Sequence, residues 1–557
     1  MAIWMRGAAV LAVAGVMTSG VFAQPREGRG GRGAPPAESP ARPDASKPKE
    51  DSGKAWDADL VVTTHSMMLG GETLHYKATA GYMPLPDYDG KTKANIFFIA
   101  YTKVNPPPPA TPAPASIPAA GGDAAATPAT PPPEPPAIDP VTRPITFAFN
   151  GGPGSSSVWL HLGALGPKRV LMGPEGLGAN PPYALGDNDA CWLDFTDLVF
   201  IDPVSTGYSR PAEGESASQF HGYEEDLRAV AEFIRLYTTR AQRWGSPKFL
   251  AGESYGTTRC AGLSGTLQDT HGMYLNGIVL LSTVLNFQTL QFNTGNDVPY
   301  PLFLPTYTAT AFYHKKLAPD LMNDFARTIQ EARDWAAGEY TLALAKGDAL
   351  TGAERTRVVQ RLARYTGLSE AYIDDCNLRP RIFNFTKELL RDRDLTVGRL
   401  DTRFTGVDAD SVGDAPDFDP SMSAITGPYT ACLNDYVRTE LRYENDKSYE
   451  ILTGRVQPWS YAGAQNRYLN VAETLRSAIT KNPALRVMVA SGYYDLATPF
   501  FAADYTMAHL GLPASLRSNI ETHYYDAGHM MYIREADLAK LHADTRAFFT
   551  KAAAPKK

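Results

Sequence analysis

The segment Gly252-Glu253-Ser254-Tyr255-Gly256 follows the short apolar run Phe249-Leu250-Ala251 and precedes a stretch of small residues. Glycine on both sides of a serine at this spacing predicts a strand-to-helix turn so sharp that a Cβ at either glycine would clash. Such a turn leaves the serine hydroxyl exposed above the end of a sheet, with the backbone N–H of Tyr255 facing any negative charge that develops there. A chain built this way must bury a sheet around residues 249–251. The same five residues also describe an ordinary glycine-rich turn, so the reading depends on the rest of the chain.

A serine hydroxyl is a poor nucleophile until an imidazole takes its proton, and a carboxylate must hold that imidazole in the right tautomer. The apolar run 485–490 reads as a buried strand, and Ser491-Gly492-Tyr493-Tyr494-Asp495 as the loop after it. Asp495 is the candidate acid. Glu521-Thr522-His523-Tyr524-Tyr525 reads as the last strand, and Asp526-Ala527-Gly528-His529-Met530 ends it on His529, the candidate base. A third loop, Asn150-Gly151-Gly152-Pro153-Gly154-Ser155-Ser156-Ser157, follows the strand-like run 145–149. Its glycines let backbone N–H groups approach a substrate carbonyl, where a preset donor typically contributes about 3 kcal/mol of transition-state stabilisation. The order serine, acid, histidine, each after a strand, predicts an α/β class chain with the α/β-hydrolase fold.

Together these motifs resemble the serine carboxypeptidases, the family that includes cathepsin A. The similarity runs through N-G-G-P-G-x-S-S at residues 150–157, Leu165-Gly166-Pro167, Asp202-Pro203-Val204, Thr206-Gly207-Tyr208-Ser209, G-E-S-Y-G at 252–256, the Asp495 loop and Ala527-Gly528-His529-Met530. The resemblance implies Ser254, Asp495 and His529 as a catalytic triad and Gly152 and Tyr255 as donors of oxyanion N–H groups. It implies that Asn150 and Glu253 hold the substrate's C-terminal carboxylate. One position departs from the pattern: Ala164 stands where a second glutamate usually precedes Leu-Gly-Pro. Two close carboxyls share a proton and favour acidic pH, so Ala164 leaves Glu253 to donate alone, and only while protonated. A structural acceptor under the turn is the other reading of Glu253.

Remaining elements fit a hydrolase sheet. Residues 197–202 and 277–281 read as strands, Leu227, Val230, Ala231 and Ile234 repeat at helical spacing, and Leu538, Leu541 and Phe548 mark a final helix. The predicted organisation is a core over 57–285, a mainly helical cap over 286–481 with helices at 308–316 and 320–338, and the rest of the core over 482–551. Strands 94–101 and 145–149 are expected to pair as neighbours, with the Pro/Ala-rich segment 105–140 as an extended surface loop between them. Tyr307, Tyr313 and Trp459 are aromatic candidates for a cap pocket, without assigned roles.

Arg6 followed by the apolar run 7–22 and Val21-Phe22-Ala23 reads as a signal peptide over 1–23, which places the mature chain in the periplasm or outside the cell. An uncleaved anchor is the alternative. No cysteine lies near the cleavage site, and no later run is apolar enough to span a bilayer. Residues 24–56 read as an unfolded Gly/Arg/Pro-rich tether; the G-x-G-x-x-G at 28–33 lacks a preceding strand and so is no dinucleotide cradle. The cysteines, Cys191, Cys260, Cys376 and Cys432, allow three complete pairings, with Cys376–Cys432 preferred because both lie in the insertion. A net charge of −7 and 43% hydrophobic residues argue against nucleic-acid binding. The expected activity is hydrolysis of the last peptide bond of substrates with a free C-terminus, with neither metal nor organic cofactor. An esterase or acyltransferase using the same triad and a non-catalytic exported binding protein are the alternatives, and a homodimer is left open.

Overall fold

The computed structural model describes residues 59–106, 138–139 and 141–554. The expected signal peptide, the tether and most of segment 105–140 lie outside the described residues. The chain from Leu60 onward forms one compact unit.

Among the described residues the main sheet has ten strands, nine of them along its path: β1 (Val61–Leu69), β2 (Glu72–Pro86), β3 (Thr92–Val104), β4 (Ile145–Phe149), β5 (Asp197–Ile201), β6 (Lys248–Ser254), β7 (Gly277–Thr283), β8 (Arg486–Gly492) and β9 (Ile520–Tyr525). Their order is β1-β2-β3-β5-β4-β6-β7-β8-β9, and the short strand Arg210–Pro211 pairs with β3. From β5 to β9 neighbouring strands are parallel. Parallel strands covered on both faces need continuous apolar runs, and β4 and β5 are buried at every position. Mixed strand directions with helices on the faces make this an α/β-hydrolase fold.

Strands β3 and β4 are not neighbours, contrary to the sequence expectation. Strand β5 lies between them, antiparallel to β3 and parallel to β4. Two apolar strands close in sequence look like a pair; the chain instead returns through β5, whose buried residues Leu198, Val199 and Phe200 fill that slot.

Helix α1 (Tyr223–Arg240) carries Glu224, Glu225 and Asp226 in its first turn, where the helix dipole favours negative charge. Helix α2 (Tyr255–His271) starts at the serine turn and stops at Gly272, whose left-handed conformation (φ 61°) suits a glycine cap. The segment expected to form the cap contains α3 (Pro299–Tyr313), α4 (Phe325–Trp335) and α5 (Gly352–Thr366), which share a hydrophobic cluster around Phe303, Tyr307, Trp335 and Leu362. Helix α3 begins nine residues before the predicted start at Thr308, because Pro299 occupies its first turn and Pro305 is tolerated inside it. Helix α6 (Pro420–Thr439) packs differently: Tyr429, Leu433 and Tyr436 belong to the cluster of the main sheet with Trp159 and Tyr101. The helix Ala472–Lys481 lies along α2, where the Gln268 amide donates to the Ala478 carbonyl. Helix α7 (Glu535–Ala553) closes the core with Leu541, Phe548 and Phe549.

All four cysteines are free, so the preferred Cys376–Cys432 bridge is not formed. Cys432 packs in the sheet's cluster, whereas Cys376 sits in the cap between Ile373 and Leu378, which belong to the separate cap cluster.

Candidate active site

Ser254 ends β6 with φ 59° and ψ −128°, a backbone conformation that costs a non-glycine residue roughly 1–3 kcal/mol and persists only where its surroundings enforce it. Those surroundings are backbone. A Cβ on Gly252 would lie 2.3 Å from the Gly256 carbonyl oxygen, and one on Gly256 2.7 Å from that of Phe149. A Cβ on Gly151 would lie 2.4 Å from the Tyr255 nitrogen, so the loop after β4 rests directly on the serine turn. Gly152, the next residue, is exposed.

Asp495 and His529 meet although they follow different strands. His529 Nδ1 is 2.8 Å from Asp495 Oδ2, and both residues are buried, Asp495 completely. The second Asp495 oxygen accepts from the backbone nitrogens of Ala497 and Thr498 at 2.7 and 3.0 Å, and the Thr498 hydroxyl donates to Oδ2 at 2.7 Å. Burial lowers the His529 pKa, but attraction to Asp495 and Glu253 outweighs it, so the imidazole is net more basic than usual; Arg399 opposes this slightly.

A β-bulge connects the histidine loop to the serine turn. Strand β7 pairs Leu281 with Glu253 and Thr283 with Ser254, leaving Ser282 out of register at φ 52°. The Ser282 hydroxyl donates to the His529 carbonyl at 2.6 Å. Residues 400–401 hold the other side: His529 N donates to the Leu400 carbonyl at 2.7 Å, and Gly528 N to Asp401 Oδ2 at 2.9 Å. Asp401 is itself held by the buried Arg403 guanidinium. In this conformation the Ser254 hydroxyl forms no hydrogen bond with another described residue, and catalytic contacts of this kind commonly tighten only with substrate bound.

Glu253 and Asn150 are brought together. Asn150 Nδ2 donates to Glu253 Oε1 at 2.9 Å, and its Oδ1 accepts from Leu160 N at 3.0 Å. The Tyr532 hydroxyl donates to Glu253 Oε2 at 2.5 Å. Burial raises the Glu253 pKa to about 7 against the lowering pull of His529, Tyr532 and Asn150. Beneath this cluster Arg259 on α2 donates to the Asn150 carbonyl at 2.7 Å and pairs with Asp226 on α1 at 2.7 Å.

Known proteins resemble this chain in sequence and fold. The family model described as serine carboxypeptidase matches residues 136–542. The chain belongs to the serine carboxypeptidase family. Curated relatives include the pheromone-processing carboxypeptidase KEX1 of Yarrowia lipolytica, 26% identical over 272 residues, which cover 46% of this chain and 42% of that protein. Carboxypeptidase Y homolog A of Talaromyces stipitatus is 33% identical over 119 residues, covering 21% of this chain and 19% of that protein. The chain thus spans less than half the length of these curated relatives. Among solved structures, KEX1(delta)p, a prohormone-processing carboxypeptidase from Saccharomyces cerevisiae, superposes with a TM-score of 0.50 at 14% identity, covering 85% of this chain and 91% of that one.

Several residues of this serine carboxypeptidase family member gave no sequence signal of their role. Thr498 and Tyr532 lie three residues past Asp495 and His529, and Arg259 five past Ser254, whereas Ser282, Asp401 and Asp226 reach the site from distant segments. Tyr532, three residues beyond His529, could have been singled out only by asking which nearby polar group might face Glu253. Of the aromatic candidates, Tyr307 is buried in the cap cluster and Tyr313 packs on Tyr494, while the Trp459 indole donates to the Tyr255 hydroxyl at 3.1 Å beside the elbow. Among the described residues no group of three or more His, Cys, Asp or Glu side chains could hold a metal ion, and no helix is long and apolar enough to cross a membrane.

Proposed function

We propose that this chain is an exported serine carboxypeptidase that releases the C-terminal residue of peptides through an acyl-enzyme. In the first step Ser254 Oγ attacks the last peptide carbonyl while His529 Nε2 takes the hydroxyl proton. Asp495 keeps the Nδ1 proton in place and stabilises the imidazolium. The oxyanion of the tetrahedral intermediate accepts from the N–H groups of Gly152 and Tyr255. The intermediate collapses as the C–N bond breaks, and His529 returns its proton to the leaving amine. A water, deprotonated by His529, then attacks the ester; the acid product leaves and Ser254 regains its proton.

The observation that carries the reading is the polar pair Asn150–Glu253 immediately beside the elbow serine. A carboxyl poised near neutrality can donate to a substrate carboxylate while protonated, which an endopeptidase or simple esterase does not need. Export rests on the signal-like segment 1–23, with the periplasm or the extracellular space as destination.

Comparing hydrolysis of one peptide as free acid and as C-terminal amide tests this reading. A carboxypeptidase strongly prefers the free acid and releases single residues visible by mass spectrometry. Equal rates, or cleavage of simple esters with no peptide turnover, would favour the second reading, an esterase or acyltransferase on the same triad. Ala164, a buried methyl group where the resemblance expects a second carboxyl, is the observation on that side.

A further inference from the structure

Tyr532 lies on the short turn Met531–Ile533, just past His529, and is 1% exposed. Its ring presses against Gly163: a Cβ there would lie 2.4 Å from Tyr532 Cε2 and 2.6 Å from the Tyr429 hydroxyl. The tyrosine therefore fills the space beside the turn that carries Ala164. Its hydroxyl supplies the polar contact that Ala164 cannot, donating to Glu253 Oε2 while Asn150 serves Oε1. Every oxygen of the carboxyl is thus oriented from a different element, the Asn150 loop on one side and the His529 loop on the other.

We propose that Tyr532 is a positioning residue of the carboxylate clamp: its phenol holds Glu253 in the orientation that receives the substrate's C-terminus and governs when that carboxyl loses its proton. This deepens the carboxypeptidase reading and rests on it. The chemistry of a phenol differs from that of a second carboxyl. Two carboxyls share one proton and titrate as a pair, whereas burial holds the Tyr532 phenol well above its ordinary pKa, so it stays a neutral donor throughout the working range. The clamp then has one titrating proton, that of Glu253. The other titratable groups facing Glu253 are His529, which lowers its pKa, Asp495, which raises it, and the neutral phenol of Tyr429 from α6. The Arg259–Asp226 pair touches the clamp only through the Asn150 carbonyl.

Ionised Glu253 repels a substrate carboxylate, so kcat/KM for a free-acid peptide should fall with a one-proton limb near pH 7. The C-terminal amide should lack that limb. Tyr532→Phe removes a donor to the ionised form, which leaves Glu253 protonated to higher pH. The limb should then move about one pH unit upward, the size expected for a hydrogen bond to a charged group. Replacing Tyr532 with 3-fluorotyrosine, nearly isosteric and a stronger donor, should move it downward, and keeps the test open if Tyr532→Phe does not fold. A limb that stays in place in both proteins overturns the proposal, as does a move in the opposite sense. Glu253→Gln separates the two levels of the argument. If it abolishes the free-acid limb while the tyrosine replacements leave the limb unmoved, only the role of Tyr532 is lost. If free acid and amide are cleaved alike by the wild type and Glu253→Gln changes neither profile, the carboxypeptidase reading fails with it.

Discussion

His529 Nδ1 and Asp495 Oδ2 lie 2.8 Å apart across 34 residues of sequence, with both side chains buried. The contact occupies Nδ1, and its attraction outweighs burial, so the imidazole is more basic than usual. A general base works in its neutral form, so kcat/KM on an ester substrate should rise with pH through a midpoint above the ordinary histidine value of 6.5 and then level off. Asp495→Asn should lower kcat/KM by about 10⁴-fold and move that limb to lower pH. Stopped-flow or steady-state pH profiles check both.

Ser254→Ala should reduce peptide and ester hydrolysis by at least roughly 10⁴-fold while leaving the thermal midpoint within a few degrees of the parent. The strained φ of 59° argues that the midpoint will not fall, since the turn is held by the packing of Gly151, Gly252 and Gly256 rather than by the hydroxyl. A fluorophosphonate probe should label the parent and not the variant. Retained turnover in pure variant protein would remove Ser254 from the mechanism.

Thr498→Val tests how the acid is held. The Thr498 hydroxyl donates to the same Asp495 oxygen that His529 contacts, and one lost hydrogen bond to a buried charge costs roughly 1.5–3 kcal/mol. We expect kcat to fall roughly tenfold or more, with KM nearly unchanged, because the residue acts on the triad and not on substrate. A KM effect alone would place Thr498 in the binding site instead.

Glu253 couples the site to stability. Its carboxyl titrates near 4.5 when unfolded and near 7 when folded. A raised pKa gives stability that is complete below the unfolded value and lost as pH rises through the folded one. Between those limits the folded chain should therefore lose about 3 kcal/mol relative to Glu253→Gln, which has no proton to release. Urea unfolding of both proteins at pH 4.5 and pH 8 reads the difference directly; an unchanged difference would mean that Glu253 is not desolvated.

The Arg259–Asp226 pair is nearly inaccessible, with side-chain exposures of 1% and 4%. Asp226→Asn leaves a buried guanidinium unpaired and should destabilise the chain by about 3–5 kcal/mol. Because Arg259 also donates to the Asn150 carbonyl, clamp geometry should suffer with it, seen as a raised KM for free-acid peptides. Replacing both partners with apolar residues should recover much of the stability and little of the KM.

The legible parts of this protein were those that short-range physics decides. Buried parallel strands announce themselves as apolar runs, which is why β5, β7 and β8 are legible within two residues, while β6 runs three residues past its apolar stretch to Ser254. The turn at Ser254 is encoded by glycines that tolerate backbone at van der Waals distance. Asp495 and His529 stand out in the sequence because each follows a strand-like run by a few residues, Arg486–Gly492 and Ile520–Tyr525. Reading failed where a local signal competed with tertiary packing: Pro299 and Pro305 hid the first half of α3, and two apolar strands near in sequence turned out to flank β5.

By itself the sequence determined the strands, the elbow and the order of its polar landmarks, since sterics and hydrophobic burial act over a few residues. Tertiary structure alone decided what those landmarks touch. The bulge that turns Ser282 toward His529, the Thr498 hydroxyl on Asp495 and the Tyr532 phenol on Glu253 join residues 247, 3 and 279 positions apart. Except for Thr498, whose contact depends on how its loop closes, they meet only once the sheet has assembled. The raised pKa of Glu253 has the same origin: a carboxyl becomes hard to ionise when the surrounding fold removes water, and no neighbouring residue in the chain carries that information.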